Sequence, residues 1–209
     1  MKNFLAVDTS NEYLTVVGCV DGVVESVFIE NCAMKHSVTL LNAIDELLNR
    51  TGWSLDDFEF FAAAVGAGSF TGIRIGISAI KGFCLATGKP SLPVTSFDVA
   101  AYNSVEAKGK RLCLVDALHD AYYVCGYEDE NIVYSPDYIE ESEVLALKEQ
   151  GYRLVSCSSL PIGERAEVEK ANPVVGLTNA VQALAKQGKF GELTALYVRK
   201  SSAELNLKV

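Results

Sequence analysis

The sequence predicts an α/β fold of two related lobes, the second smaller than the first, and three observations carry this. The first half reads as three strands, a helix, a strand and a helix, the order of a meander followed by a β-loop-α crossover. Its opening then recurs in the second half. The first lobe also has a three-glycine loop ahead of a helix, where its counterpart in the second keeps one glycine. At 209 residues the chain can bury about 70% of its unfolded surface, so it needs neither disulfides nor metal to hold a core.

The elements follow in order. FLAVD (4–8) is a short buried-strand run, and EYLTVVGCV (12–20) is a second strand. Asp21-Gly22 is a hairpin signal, and VVESVFIE (23–30) is the third strand. Leu40, Leu41, Ile44, Leu47 and Leu48 fall at helical spacing, which predicts a helix over 37–50. FEFFAAAVG (58–66) reads as a buried strand, GSFTG as a loop, and 73–88 as a helix ended by Gly88. At an offset of 108, Val7 falls on Val115, Asp8 on Asp116, Val16 on Val124, Gly18 on Gly126 and Asp21 on Asp129. The lobes are therefore expected over 1–100 and 101–209, with the boundary near 93–110 and the C-terminal segment free to pack back on the first lobe. The second lobe continues with a strand at 132–134, a helix around 141–150 and a strand at 153–157. VVGLTNAVQAL (174–184) stands as the counterpart of the glycine loop, its helix start capped by Thr178 or Asn179.

Composition narrows the function classes. A hydrophobic fraction of 49% with 22% charged residues reads as globular. The net charge is −9, and no Lys or Arg occurs between Arg111 and Lys148, an interval rich in Asp and Glu. Such a surface repels phosphate backbones, so direct nucleic-acid binding is not expected. The six cysteines form no C-x-x-C pair, and four of them sit in apolar runs, which fits a reducing compartment. Asp8 interrupts the N-terminus before a signal sequence could form, and no run of 18 apolar residues occurs, so a cytoplasmic protein without membrane contact is expected.

Two lobes with an Asp closing each first strand suggest the actin-like ATPase (ribonuclease H-like) architecture. There Asp8 and Asp116 would face an interlobe cleft and hold a hydrated metal ion or position a water. The plainer reading is an Asp bonding turn amides, as DTS invites. VGAGSFTGIRIG (65–76) matches neither G-x-x-x-x-G-K-[ST] nor G-x-G-x-x-G. Gly68 and Ser69, with Asp8, are at most a vestigial nucleotide site, although glycine amides and Arg74 could still hold an anion. A second reading rests on the helix itself. Gly72, Gly76, Ala79 and Ala86, with Gly82, recur on one side, and each helical Gly costs roughly 0.5–1 kcal/mol. That stripe would admit another helix closely, either internal or from a partner, with Phe70 as an aromatic anchor or a plug over its own core. Two distant histidines, His36 and His119, carry no metal motif, and no catalytic constellation is visible.

FLAVDTS, His36-Ser37 ahead of the Leu-rich helix, GAGSFTGIRIG, the Lys81-Gly82 that follows and ALYVRKSSAE resemble the TsaB (YeaZ) family nearly end to end. The resemblance implies a degenerate actin-like member that supports threonylcarbamoyl-adenosine synthesis on tRNAs reading codons that begin with A. It implies a non-catalytic subunit, with a TsaD-type transferase and a TsaE-type ATPase as partners and a homodimer in isolation. It implies no cofactor of its own, with ATP at the complex junction left open. The partner surface carried over lies on the helices 37–50 and 73–86, with His36, Leu40, Phe70, Gly72, Arg74, Gly76, Ala79 and Lys81 near the contact. Two positions depart from the family pattern: Ala67 replaces a proline and Val38 an acidic residue. The alternative is an autonomous actin-like ATPase or small-molecule kinase.

Overall fold

The computed structural model of the protein describes residues 2–103 and 109–199. Residues 104–108 of the anticipated boundary and the SSAE of the C-terminal motif lie outside the described residues. The first sheet holds β1 (Phe4–Asp8), β2 (Leu14–Val20), β3 (Val23–Ile29), β4 (Phe60–Ala64) and β5 (Ser91–Val94) in the order β3-β2-β1-β4-β5. The second holds β6 (Lys110–Asp116), β7 (Ala121–Glu128), β8 (Asn131–Glu140), β9 (Arg153–Ser156) and β10 (Val168–Lys170) in the order β8-β7-β6-β9-β10. Each sheet therefore repeats one pattern: an antiparallel meander, then two strands added parallel to the first. This is the duplicated actin-like α/β fold.

Helices α1 (His36–Thr51) and α2 (Phe70–Thr87) cover the outer face of the first sheet, burying Leu40, Ile44, Leu47, Ile73 and Ile80 against Leu5, Val7 and Phe61. Helix α4 (Glu141–Glu149) covers the outer face of the second through Val144. The shared core between the sheets is built by α3 (Ser96–Ala101) and α5 (Pro173–Lys186). Phe97, Val99, Leu177 and Val181 there meet Phe4 and Phe60 of one sheet and Cys113 and Tyr127 of the other. The two helices cross at Gly176, where a Cβ would sit 2.0 Å from the Val99 carbonyl oxygen. The C-terminal segment packs back on the first lobe. Gly191 N donates to Ser91 O at 3.0 Å, Leu196 N donates to Val65 O at 2.7 Å, and Leu193 is buried in the α1–α2 core.

Several sequence expectations are corrected. Helix α2 starts at Phe70, capped by Ser69, three residues before the anticipated start. The boundary segment hides β5 and α3, the latter started by a Thr95–Asp98 capping box. Helix α5 begins at Pro173, capped by Asn172, whose Oδ1 accepts from Val174 N and Val175 N. Thr178 and Asn179 lie within it, so VVGLTNAVQAL is helix and matches α3 in the topology. The counterpart of the glycine loop and α2 is the β9–β10 connection, with a single 3-10 turn at Pro161–Glu164. Helix α2 has the length and average apolarity of a membrane span without being a run of 18 apolar residues, since Arg74 and Lys81 interrupt it. It nevertheless lays Ile73, Ile77 and Ile80 into the core of the first lobe.

The internal repeat is real but its phase differs. Val7 pairs with Val16 and Leu114 pairs with Val124, all four on outer faces. Val7 therefore corresponds to Leu114, not Val115, and Asp8 corresponds to Val115. Beyond the hairpin loop the offset of 108 holds, and Gly18 and Gly126 share a face. The chain runs nine residues on from Val7 to its partner Val16 but ten from Leu114 to Val124, so the second hairpin holds one extra residue between equivalent pairs, and that residue moves Asp116 to the opposite face from Asp8.

Candidate functional site

The glycine loop between β4 and α2 is bound on every side by its own chain. Ser96 N donates to Gly66 O at 2.8 Å, the Ser96 hydroxyl donates to Ala67 O at 2.6 Å, and Ser69 N donates to Ser10 O at 2.8 Å. Gly66 and Gly68 have φ of 110° and 140°, which L side chains rarely adopt. A Cβ on Gly68 would also fall 2.2 Å from Ser10 O. Ser69 caps α2 by accepting from Gly72 N at 3.2 Å. Asp8, Gly68 and Ser69 are thus brought together, but on Ser10 and not around an open cradle.

Asp8 is fully buried. Its Oδ1 accepts from Ser10 N at 2.8 Å and the Ser10 hydroxyl at 2.6 Å. Desolvation raises its pKa above 3.8, opposed by the Ser10 hydrogen bonds and by the nearby His36. Its carboxylate faces the interior, so its anticipated place in the cleft is corrected. Asp116 is exposed, lines the cleft, and accepts from Leu118 N at 2.8 Å in a local turn. The two carboxylates do not face each other. Nearby, burial pushes the Cys157 thiol up to about 12, with Asp8 adding to the rise. Among the described residues no three His, Cys, Asp or Glu side chains converge as a metal site.

The residues anticipated on a partner surface divide in two. Gly72 and Gly76 are buried against the end of β1: a Cβ would fall 2.0 Å from Thr9 O at Gly72 and 2.6 Å from Thr9 Oγ1 at Gly76. The glycines admit a strand end of the same chain, not another helix. Leu40 is 1% exposed and belongs to the core, and His36 is buried with Nε2 2.9 Å from Tyr13 O. Ala79 is half-buried beside that core.

Phe70, Arg74 and Lys81 face outward but are engaged by the C-terminal segment. The Phe70 ring stacks on Tyr197 at 4.5 Å, Arg74 Nε donates to the Tyr197 hydroxyl at 2.8 Å, and Lys81 lies 3.4 Å from Glu192. Sequence reasoning missed the side chains that do form a free surface. Val38 is 70% exposed and Leu41 55% on α1, and Leu85 is 89% exposed on α2, near Gly82 with open space around it. The run Leu40-Leu41 holds one core and one surface leucine. Only the position of Ile44 and Leu47 relative to Leu41 could have told them apart.

A sequence model of the TsaD family, tRNA N6-adenosine threonylcarbamoyltransferase, matches residues 25–199. The chain is similar to the tRNA threonylcarbamoyladenosine biosynthesis proteins TsaB of Escherichia coli (34% identical over 130 residues) and Bacillus subtilis (30% over 127). Each match covers 61% of this chain and 56% of the relative, so the chain spans about half the length of these relatives. A tRNA N6-adenosine threonylcarbamoyltransferase of Kosmotoga olearia is 35% identical over 65 residues, 31% of this chain and 20% of that protein. Among solved structures, YeaZ from Pseudomonas aeruginosa superposes with a TM-score of 0.75 at 21% identity, covering 94% of this chain and 100% of that one. At that identity the likeness is one of fold.

Proposed function

The chain belongs to the TsaD family and, within it, to the TsaB (YeaZ) branch, and from that premise we propose that it is a partner subunit in threonylcarbamoyladenosine modification of tRNA. In this reading it binds and activates a TsaD-type transferase and performs no chemistry itself. A TsaE-type ATPase joins the pair, any ATP sits at the junction of subunits, and the same face self-associates when the transferase is absent.

The observation that carries this is the outward face of α1 and α2. Val38, Leu41 and Leu85 stand in water at the surface of a lobe whose core is already closed by Leu40, Ile44, Leu47 and Ile73. Val38 and Leu41, neighbours at the start of α1, make an apolar patch that suits a docking partner, with Leu85 at the far end of α2. The inward Asp8 and the self-bound glycine loop disfavour the alternative of an autonomous ATPase or kinase, which needs an open cradle and an accessible carboxylate.

The test is Val38→Asp with Leu41→Asp, measured by co-elution and calorimetry with the cognate TsaD-type transferase. The expected outcome is loss of the complex with unchanged thermal unfolding. Retained co-elution overturns the docking face. Micromolar ATP binding by the isolated chain, with turnover lost in Asp8→Ala, overturns the subunit reading in favour of the ATPase.

A further inference from the structure

Helices α3 and α5 bind the lobes through the shared core, and neither helix lines the interlobe cleft of about 390 Å³. Phe70 lines that cleft from the first lobe and Tyr123 from the second. Each of these rings is packed by a further tyrosine, Phe70 by Tyr197 at 4.5 Å and Tyr123 by Tyr138 at 5.9 Å. Three consecutive residues of the C-terminal segment link the two pairs. Tyr197 lies on α2, and Val198 packs against the shared core. The Arg199 guanidinium sits 4.6 Å over the Tyr138 ring of β8 and donates to its hydroxyl at 3.0 Å.

Anchorage differs along this segment. Its root is fixed in the first lobe by the buried Leu193 and by the hydrogen bond from Leu196 N to Val65 O. Its tip is held by surface contacts, for Tyr197 is 40% exposed and Arg199 is exposed. An aromatic stack shifts an equilibrium roughly twofold to tenfold, and a cation over an exposed ring roughly twofold to fivefold. Contacts of that strength favour a closed state and still break reversibly.

We propose that Tyr197 to Arg199 form a reversible latch that fastens the second lobe to the first across the mouth of the cleft. Releasing the tip frees β8 and its hairpin to move away from α2. Tyr197 and Arg199 are two residues apart, so whatever lifts Tyr197 from α2 also loosens Arg199 on the second lobe. The device is intrinsic to the chain and stands or falls without the transferase.

Cys157 reports on it. The thiol is 9% exposed and lines a second interlobe cavity of about 600 Å³, together with Glu12 and Tyr13 of the first lobe and Lys170 of the second. Glu12 and Ser158 line both cavities and are hydrogen-bonded to each other at 2.9 Å, so parting the lobes opens one cavity with the other. Burial keeps the thiol protonated and inert while the lobes are closed. Iodoacetamide labelling of the whole chain, read by peptide mass spectrometry, should alkylate Cys157 roughly twofold to fivefold faster in Arg199→Ala and roughly twofold to tenfold faster in Tyr197→Ala. Cys113, buried in the shared core, should keep its wild-type rate in both. In a Tyr138→Leu background, Arg199→Ala should add nothing further, because its ring partner is already gone. Wild-type Cys157 labelling in both single variants overturns the latch. A parallel rise at Cys113 overturns it too, since the tip would then stabilise the whole fold. So does an undiminished gain from Arg199→Ala after Tyr138→Leu.

Discussion

Three glycines of α2 separate internal packing from surface. At Gly72 an added methyl would lie 2.0 Å from Thr9 O, well inside the 3.0 Å that real Cβ atoms essentially never breach. The Thr9 oxygen belongs to the backbone and cannot swing aside, so α2 must lift from β1, loosening Ile73, Ile77 and Ile80. Overpacking of this kind costs about 3 kcal/mol, the upper end of its range, while Ala in place of Gly returns about 1 kcal/mol of helix propensity. Gly72→Ala should therefore destabilise by about 2 kcal/mol, a fall in Tm of about 4–8 °C for a domain this size. At Gly76 the obstacle is the Thr9 hydroxyl at 2.6 Å, which can rotate away by giving up its 2.7 Å bond to Gly72 O. That bond is worth about 1 kcal/mol, so Gly76→Ala should be near neutral. Gly82 has open space, and Gly82→Ala should gain about 1 kcal/mol, or about 2–4 °C. Scanning calorimetry with urea denaturation gives the order directly. If Gly72→Ala unfolds with wild-type stability and only partner affinity falls, the glycine face is turned outward and the account of α2 is wrong.

Two further variants test local causes. Asn172→Ala should cost about 1 kcal/mol by uncapping α5, read as a Tm lower by about 2–4 °C, while Thr178→Ala, whose hydroxyl bonds Val174 O within the helix, should change little. Asp8 has a folded pKa raised above 3.8 by burial, so its favourable contribution is complete below 3.8 and is lost as pH rises through the folded value. Asp8→Asn keeps an acceptor for Ser10 without the charge, so urea denaturation should show its advantage over wild type growing from pH 4 toward pH 8, and a constant or shrinking difference would refute the burial argument.

Much of the fold is legible in the sequence because alternation and helical spacing are local. The β2–β3 hairpin at Asp21-Gly22 and the end of α2 at Gly88 follow from residues that set φ, and both are observed at positive φ. What escaped has no local signature. Strand β5 is four residues with Pro93 inside, and α3 is six residues whose only flag is the Thr95–Asp98 box. The start of α5 is the exception: Asn172-Pro173, a cap followed by a first-turn proline, marks it locally, whereas the repeat alignment points to Thr178. The direction of the glycine stripe escapes for another reason. A stripe from Gly72 to Gly82 spans ten residues and turns about 80° around the helix axis, enough to run from the strand side to open solvent. Periodicity gives a stripe its existence but not its direction, and that is fixed by Thr9, which is 63 residues distant from Gly72 in the chain.

The paired aspartates show how one inserted residue carries into function. Asp8 and Asp116 match in sequence because each ends a strand and each accepts from the backbone amide two residues on. The extra residue between Leu114 and Val124 places them on opposite faces of equivalent strands, so one carboxylate is sealed in the core and the other stands at the cleft rim. An ATPase of two such lobes needs the facing hairpins to converge on one phosphate chain. Here the extra residue is spent instead on a left-handed tip that lifts Leu118 into water. One extra residue between equivalent pairs therefore separates, across the two faces of a sheet, two aspartates that the sequence aligns.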